Sequence, residues 1–299
     1  MKKYFVIFFL VSIVSWAQDK NFEFKVFDEN TSISKTEKAL YFDRLDKINS
    51  INTIKIRKNV TVAKQVKRYL GFNHLAKTMG KAEYYFYYFH LKLKKYGLPE
   101  ELKYLAIIES DLNPNAVSRV GAKGLWQFMP ATGIQYGLYE NDEISLFFDP
   151  IASTDAACRY LRDLYKKFND WELVLAAYNC GPSRVSKAIK KAGKKDYWSI
   201  RHLLPKETKN YVPSFLAVQY VFNFYKDHNI KPRRIILKGH EIKTHTTKKE
   251  SKKSEFYTTK KEQKIFDFLN PHLLSKTIPI RTRFYLKELP EKPVILHEE

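Results

Sequence analysis

The sequence predicts a mainly α protein with room for one small hairpin, and three observations predict it. Apolar residues recur at helical spacing through most segments. Gly and Pro punctuate those segments where helices close and open. No run alternates apolar with polar residues as an extensive half-buried sheet would. Residues 36–48 place Leu40, Tyr41, Leu45 and Ile48 on one face. The helical pattern continues over residues 59–79, with Val62, Val66, Tyr69 and Leu70 on one side. Residues 81–96 carry Tyr84, Tyr85, Phe86, Tyr87, Tyr88 and Phe89 in one run. Six consecutive rings cover every face of a helix, which predicts burial on several sides.

Gly97 closes that helix and Pro99 opens the next, residues 98–110, whose Glu100 and Glu101 complement its N-terminal dipole. Asp149-Pro150 reads as a turn, and Ser153, Thr154 and Asp155 as the start of a helix over residues 156–168. Residues 171–178 form another helix, broken at Asn179-Cys180-Gly181. Pro182 opens residues 183–191, with Val185 and Ile189 facing inward. Residues 206–228 read as one long helix that Pro213 should kink. The hairpin is expected within residues 121–129. Beyond residue 229 the chain becomes a basic C-terminal extension: a short strand at 230–237, then a flexible linker rich in Lys, Thr and Ser at 243–261. Residues 266–286 regain apolar character, to dock on the core or to form a small module.

Hydrophobic residues at 44% and aromatics at 15% argue for a folded chain and against disorder. Residues 1–17 look like an export signal: Lys2 and Lys3, an apolar run from Tyr4 to Val14, then Ser15-Trp16-Ala17 as a small-x-small cleavage site. The run is too short to span a bilayer comfortably. No cysteine stands near the cleavage point, so a lipoprotein is not expected. The expected product is soluble or peripheral, outside the cytoplasm, in the periplasm or cell envelope. A net charge of +21 taken alone suggests nucleic acid, but export weakens that reading and favours association with an anionic envelope surface. Cys158 and Cys180 could pair in an oxidising compartment or remain as small buried thiols. Neither they nor the scattered histidines show metal-ligand spacing, so no metal or other cofactor is expected.

The candidate for chemistry is Glu109. Leu102, Leu105 and Ile108 define a buried face, and Glu109 lies beside it, four residues after Leu105 and three after Ala106. A carboxyl group there loses hydration, so its neutral form is favoured and it can donate a proton near neutral pH. The nearest carboxylate, Asp111, is two positions on and points about a half-turn away. A single acid without a partner fits substrate-assisted glycoside cleavage better than the two-carboxylate plan.

Glu109-Ser110, Gly124-Leu-Trp-Gln-Phe-Met-Pro130, Ala176-Ala-Tyr-Asn-Cys-Gly181 and Glu207-Thr-Lys-Asn-Tyr-Val-Pro213 form a set. Together they resemble the lytic transglycosylases of glycoside hydrolase family 23, and most closely the membrane-bound lytic murein transglycosylase D subgroup, over residues 84–227. The resemblance implies a lysozyme-like α+β catalytic domain and a peptidoglycan-cleaving lyase. It implies that Glu109 is the acid and base, and that Ser118, Gln127, Met129, Tyr178, Glu207 and Tyr211 contact the glycan. Each has a plainer reading: Ser118 as a turn cap, Tyr178 as core, Gln127 as a loop tie, Glu207 as a partner of Lys206 or Lys209. Trp126 reads as core. Members of the subgroup usually carry LysM repeats after the catalytic domain; a basic tail takes that place here. The expected division is a signal at 1–17, an N-terminal helical segment at 18–83, the catalytic domain at 84–228, and the linker and extension at 229–299.

Overall fold

A computed structural model describes residues 31–55, 57–233 and 237–287; the expected export signal lies outside these residues. The described chain is mainly helical. Helix α1 (Lys35–Ile51) is closed by a capping box between Ser34 and Glu37. Asn59 caps α2 (Val60–Leu70), and α3 is Leu75–Lys95. The sequence reading ran one helix from 59 to 79. The structure breaks it, because Gly71 caps α2 and a turn through Phe72 and His74 redirects the chain before α3. The ring run behaves as expected. Tyr84 and Tyr85 pack on Phe268, Phe89 on Trp126, and Phe86 on Tyr104 and Phe222.

The expected helix at 98–110 is instead a 3-10 turn, Glu100–Tyr104, followed by α4 (Leu105–Ser110). Glu101 does not serve a dipole at the surface. It is buried and accepts the backbone N–H groups of Thr53 and Ile54. Helix α5 spans Pro130–Gln135, and α6 spans Pro150–Phe168. The start of α6 corrects the sequence reading. Its cap is Asp149, whose carboxylate takes the N–H groups of Ile151 and Ala152 at 2.8 and 3.0 Å, with Pro150 as the first helical residue. Ser153 and Thr154 sit inside the helix and donate back to the Asp149 and Pro150 carbonyls.

Asp170 caps α7 (Trp171–Cys180), which runs two residues past the expected end at Tyr178 and stops at Gly181, φ +88°. Helix α8 is Pro182–Ala192 and α9 is Tyr197–Ile200. Helix α10 (Lys206–Phe224) passes through Pro213 and ends in a 3-10 turn, Tyr225–His228. Pro213 removes the N–H that would bond the Lys209 carbonyl. That carbonyl accepts instead from the Tyr197 hydroxyl at 2.9 Å and from Arg201 Nε at 2.7 Å, so α10 continues with its backbone satisfied. Helix α2 packs chiefly on α10.

The described residues between 230 and 237 form no strand, and the expected flexible linker is ordered. Strand β1 (Ile242–Thr246) pairs antiparallel with β4 (Arg283–Lys287), and β2 (Ser251–Lys252) with β3 (Thr277–Ile278). Helix α11 (Lys260–Leu269) is closed by a Thr259–Glu262 capping box. Lysine and threonine density read as disorder, yet Phe266, Leu273, Ile278 and Phe284 give the region its own small core. The region also docks. Leu269 and Tyr285 join the main buried cluster, which extends from Tyr41 to Tyr285, and α3 crosses residue 84 without interruption. Residues 121–129, where a hairpin was expected, contribute only the bridges Val117–Lys123 and Lys123–Phe128. Both cysteines are free thiols, Cys158 buried and Cys180 partly so.

Docking of residues 237–287 includes one buried polar contact that can be removed alone. The Tyr285 hydroxyl lies 2.9 Å from each Asp149 carboxylate oxygen, both residues being buried. Tyr285→Phe should lower stability by about 1–3 kcal/mol, because it strips a donor from a buried carboxylate. Denaturant midpoints measure this; an unchanged midpoint would show that docking does not depend on the contact.

Candidate active site

Every residue of α4 except Glu109 is buried, so the helix delivers one half-buried carboxyl at its end. The Tyr211 hydroxyl, from the buried second turn of α10, donates to Glu109 Oε1. Burial pushes the Glu109 carboxyl up to about 8. The Tyr211 hydrogen bond pulls the other way, and the nearby Glu207 adds to the rise. Burial also holds the Tyr178 and Tyr211 hydroxyls far above the usual phenol range, with Glu109 adding to both. Neither ionises near neutrality, so both act as neutral hydroxyls.

The loop that faces this acid is held by backbone carbonyls. Ser110, next to Glu109, donates to the Leu125 carbonyl at 2.9 Å and to Ala106 at 3.0 Å. Tyr178 donates to the Trp126 carbonyl at 2.8 Å, and Trp126 Nε1 to Thr154 Oγ1 at 2.9 Å. Gly124 has φ +77°, and a Cβ there would run into the Phe147 carbonyl, so glycine is required on two counts. Gln127 has φ +47°, and its Nε2 donates to Gly124 O at 2.9 Å and Ala116 O at 3.3 Å. These bonds make Gln127 a tie within its own loop, its plainer reading.

The structure brings Glu109, Tyr211 and Tyr178 together, with Glu207 close enough to influence the acid. Glu207 is exposed and pairs with neither Lys206 nor Lys209. It accepts Asn179 Nδ2 at 3.1 Å, while Thr208 Oγ1 donates to Asn179 Oδ1 at 2.7 Å. This clasp joins the end of α7 to the start of α10 and so sets Tyr178 against Tyr211. Among the described residues, no hydrogen bond links Ser118 to Glu109. Its hydroxyl accepts the Ala122 N–H at 2.9 Å and caps the 118–121 turn, its plainer reading. Met129 stands 44% exposed at the start of α5, and Trp126 is core as expected. Two contributors escaped the sequence reading. Ser110 was legible in the Glu-Ser pair as a neighbour but not as a tie to Leu125. Tyr69, a buried residue of α2, has its hydroxyl pushed up to about 12, chiefly by burial, and Asp111 and Glu109 also act on it. It was legible only as a core position. Among the described residues, no three His, Cys, Asp or Glu side chains gather in a way that could hold a metal ion.

Residues 86–201 match the family described as Transglycosylase SLT domain. That span holds Glu109, Ser118, Gln127, Met129 and Tyr178 and stops short of Glu207 and Tyr211. The chain is 40% identical over 182 residues to the membrane-bound lytic murein transglycosylase D of Escherichia coli K12, covering 59% of this chain and 40% of that protein. It is 32% identical over 124 residues to the soluble lytic murein transglycosylase of the same organism, covering 39% of this chain and 19% of that one. The chain therefore spans less than half the length of these relatives. Among solved structures, the lytic transglycosylase Slt of Pseudomonas aeruginosa aligns with a TM-score of 0.42 at 18% identity, covering 66% of this chain and 36% of that chain. Residues 86–201 thus resemble a transglycosylase SLT domain, and the chain is similar in sequence to lytic murein transglycosylases.

Proposed function

We propose that this protein is a peptidoglycan lytic transglycosylase, cleaving the β-1,4 bond between N-acetylmuramic acid and N-acetylglucosamine without water. The observation that carries the reading is a lone carboxyl, Glu109, kept protonated up to about pH 8 by burial and touched by one donor, Tyr211. Neither nearby carboxylate is placed as a second catalytic acid. Asp111 is bonded to Thr78, and Glu207 is bonded to Asn179.

Glu109 gives its proton to the glycosidic oxygen as the C1–O bond breaks, and the sugar's own N-acetyl oxygen closes on C1. The Glu109 carboxylate then takes the C6 hydroxyl proton while O6 attacks C1 and displaces the amide oxygen. The product is a 1,6-anhydro end, the acid is restored and no water is consumed. Both reacting oxygens belong to one sugar, so closure gains from proximity. Tyr211 favours the ionised form, so its hydrogen bond strengthens as the proton leaves. Gln127, Tyr178, Met129, Ser118 and Glu207 are the proposed glycan contacts. The proposed place of action is the cell envelope outside the cytoplasm, with the basic region at 237–287 favouring an anionic surface. No helix among the described residues is long and apolar enough to cross a membrane.

Mass spectrometry of digested sacculi separates the readings. Wild type should release anhydro-muropeptides, and Glu109→Gln should lower the rate by about 10²–10⁴-fold. Products one water heavier would mark a hydrolase, and cleavage surviving in Glu109→Gln would remove the acid from the mechanism.

The rate should hold below pH 8 and fall above it, as the donor loses its proton. Tyr211→Phe removes a donor that favours the carboxylate. It should move that fall to higher pH and lower kcat by about 10–100-fold, the worth of a hydrogen bond to a charged group. Stability follows with the opposite benefit. Glu109 titrates above its ordinary value of 4.5, so the unfolded chain loses the proton first and the group costs stability increasingly from about pH 4.5 to about 8. Glu109→Gln should therefore melt higher than wild type at pH 7 and equally at pH 4. A melting difference that does not change with pH would contradict the raised acid.

A further inference from the structure

Directly after the acid, the backbone enters a conformation that side chains other than glycine rarely adopt. Asp111 and Leu112 both lie in the left-handed region, at φ 53° and 54°. They end α4 in an αL cap, with the Asp111 N–H on the Ile107 carbonyl at 2.9 Å and the Leu112 N–H reaching the Ala106 carbonyl at 3.3 Å. Glycine is the usual residue at the first of these positions, because a Cβ there crowds the backbone. Aspartate occupies it here, and its side chain is engaged. The Thr78 hydroxyl donates to Asp111 Oδ1. The Lys81 ammonium donates to the Asp111 carbonyl and stands 3.7 Å from Oδ2, and His74 Nε2 stands 3.8 Å from Oδ1.

This grip is mostly shielded from water, the Asp111 and Lys81 side chains being 18% and 14% exposed. Thr78 and Lys81 are three residues apart on α3, so they form one face reaching for one turn. Burial pushes the Asp111 carboxyl up and the Lys81 ammonium down, and each offsets the cost to the other. A six-residue helix has little stiffness of its own. A rotation of its last turn would swing the Glu109 carboxyl away from Tyr211.

We propose that Asp111, gripped by Lys81 and Thr78, is a positioning residue that fixes the last turn of α4 and thereby aims the Glu109 carboxyl. The inference rests on the activity proposed above and adds a residue to which the resemblance gives no role. Strain retained two residues from the reacting group is what such a device requires.

Asp111→Gly is the informative variant, because glycine keeps the left-handed turn and relieves its crowding while removing the anchor. Steady-state cleavage of soluble glycan fragments should show kcat down by about 10-fold or more, with KM within about twofold of wild type. The melting temperature should stay within a few degrees of wild type. Lys81→Met should reproduce the loss of kcat, and Asp111→Asn, which still accepts from Thr78, should recover part of it. Full kcat in a folded Asp111→Gly protein overturns the proposal. So does a rise in KM with kcat intact, or a fall in kcat that only tracks a fall in melting temperature across the three variants. The product formed by wild type tests the proposed function separately, since the rates compared here do not depend on whether the end is anhydro or hydrolytic.

Discussion

Withdrawal of the Glu109 carboxyl from water is the constraint on which the site depends. A carboxyl group in contact with water is ionised at neutral pH and has no proton to give. Keeping it neutral demands burial, and it also demands few donors, because each donated hydrogen bond favours the charged form. Among the described residues, Glu109 has one such donor, the Tyr211 hydroxyl. The protein's other enclosed carboxylates are treated differently. Asp149 accepts from Ile151, Ala152 and Tyr285, and Glu101 accepts from two backbone amides. Those acids hold elements together; the sparsely bonded one is free to exchange a proton.

The same constraint explains why so much of the surrounding fold works through backbone carbonyls. Side-chain donors near Glu109 would compete for its oxygens, so the local hydroxyls are directed elsewhere. Ser110 is spent on Leu125 and Ala106, and Tyr178 on Trp126. These bonds lock the 124–128 loop against α4 and α7 without adding charge. The Asn179 clasp to the buried Thr208 and the exposed Glu207 then ties together the helices that carry Tyr178 and Tyr211.

The acid was legible in the sequence because helical periodicity alone places Glu109 beside an apolar face. Tyr211 and Tyr178 were legible through the resemblance, since nothing local in either segment says that the two meet. What remained illegible was long-range. Asp111 was read on a helix and pointing away from Glu109; it is instead the left-handed cap of α4, and its hold on α3 spans 33 residues of sequence to Thr78. Asp149 was read as a turn residue because its third partner, Tyr285, lies 136 residues away. The order of residues 243–261 was hidden for a compositional reason. Lysines and threonines on short two-stranded ribbons look like linker, because most of the apolar residues that hold them, Phe266, Leu273, Ile278 and Phe284, come later in the chain.

That ordered region bears on how the acid is supported. Gly124 meets the Phe147 carbonyl, and Phe147 lies in the stretch leading to the Asp149 cap. The same stretch carries the contacts to residues 237–287. The Ser145 N–H bonds the His272 carbonyl at 2.9 Å, the Leu274 N–H bonds Glu143 at 2.7 Å, and Tyr285 bonds Asp149. Residues 143–149 are thus pressed on one side by the loop that carries Gln127 and on the other by the C-terminal region. Packed interiors transmit displacement because they have no slack. On the proposed reading, a C-terminal region docked in this way walls the catalytic unit, and its basic residues are held at a fixed position relative to Glu109. A freely swinging linker would have offered attachment alone; a docked region can also hold the 124–128 loop in place.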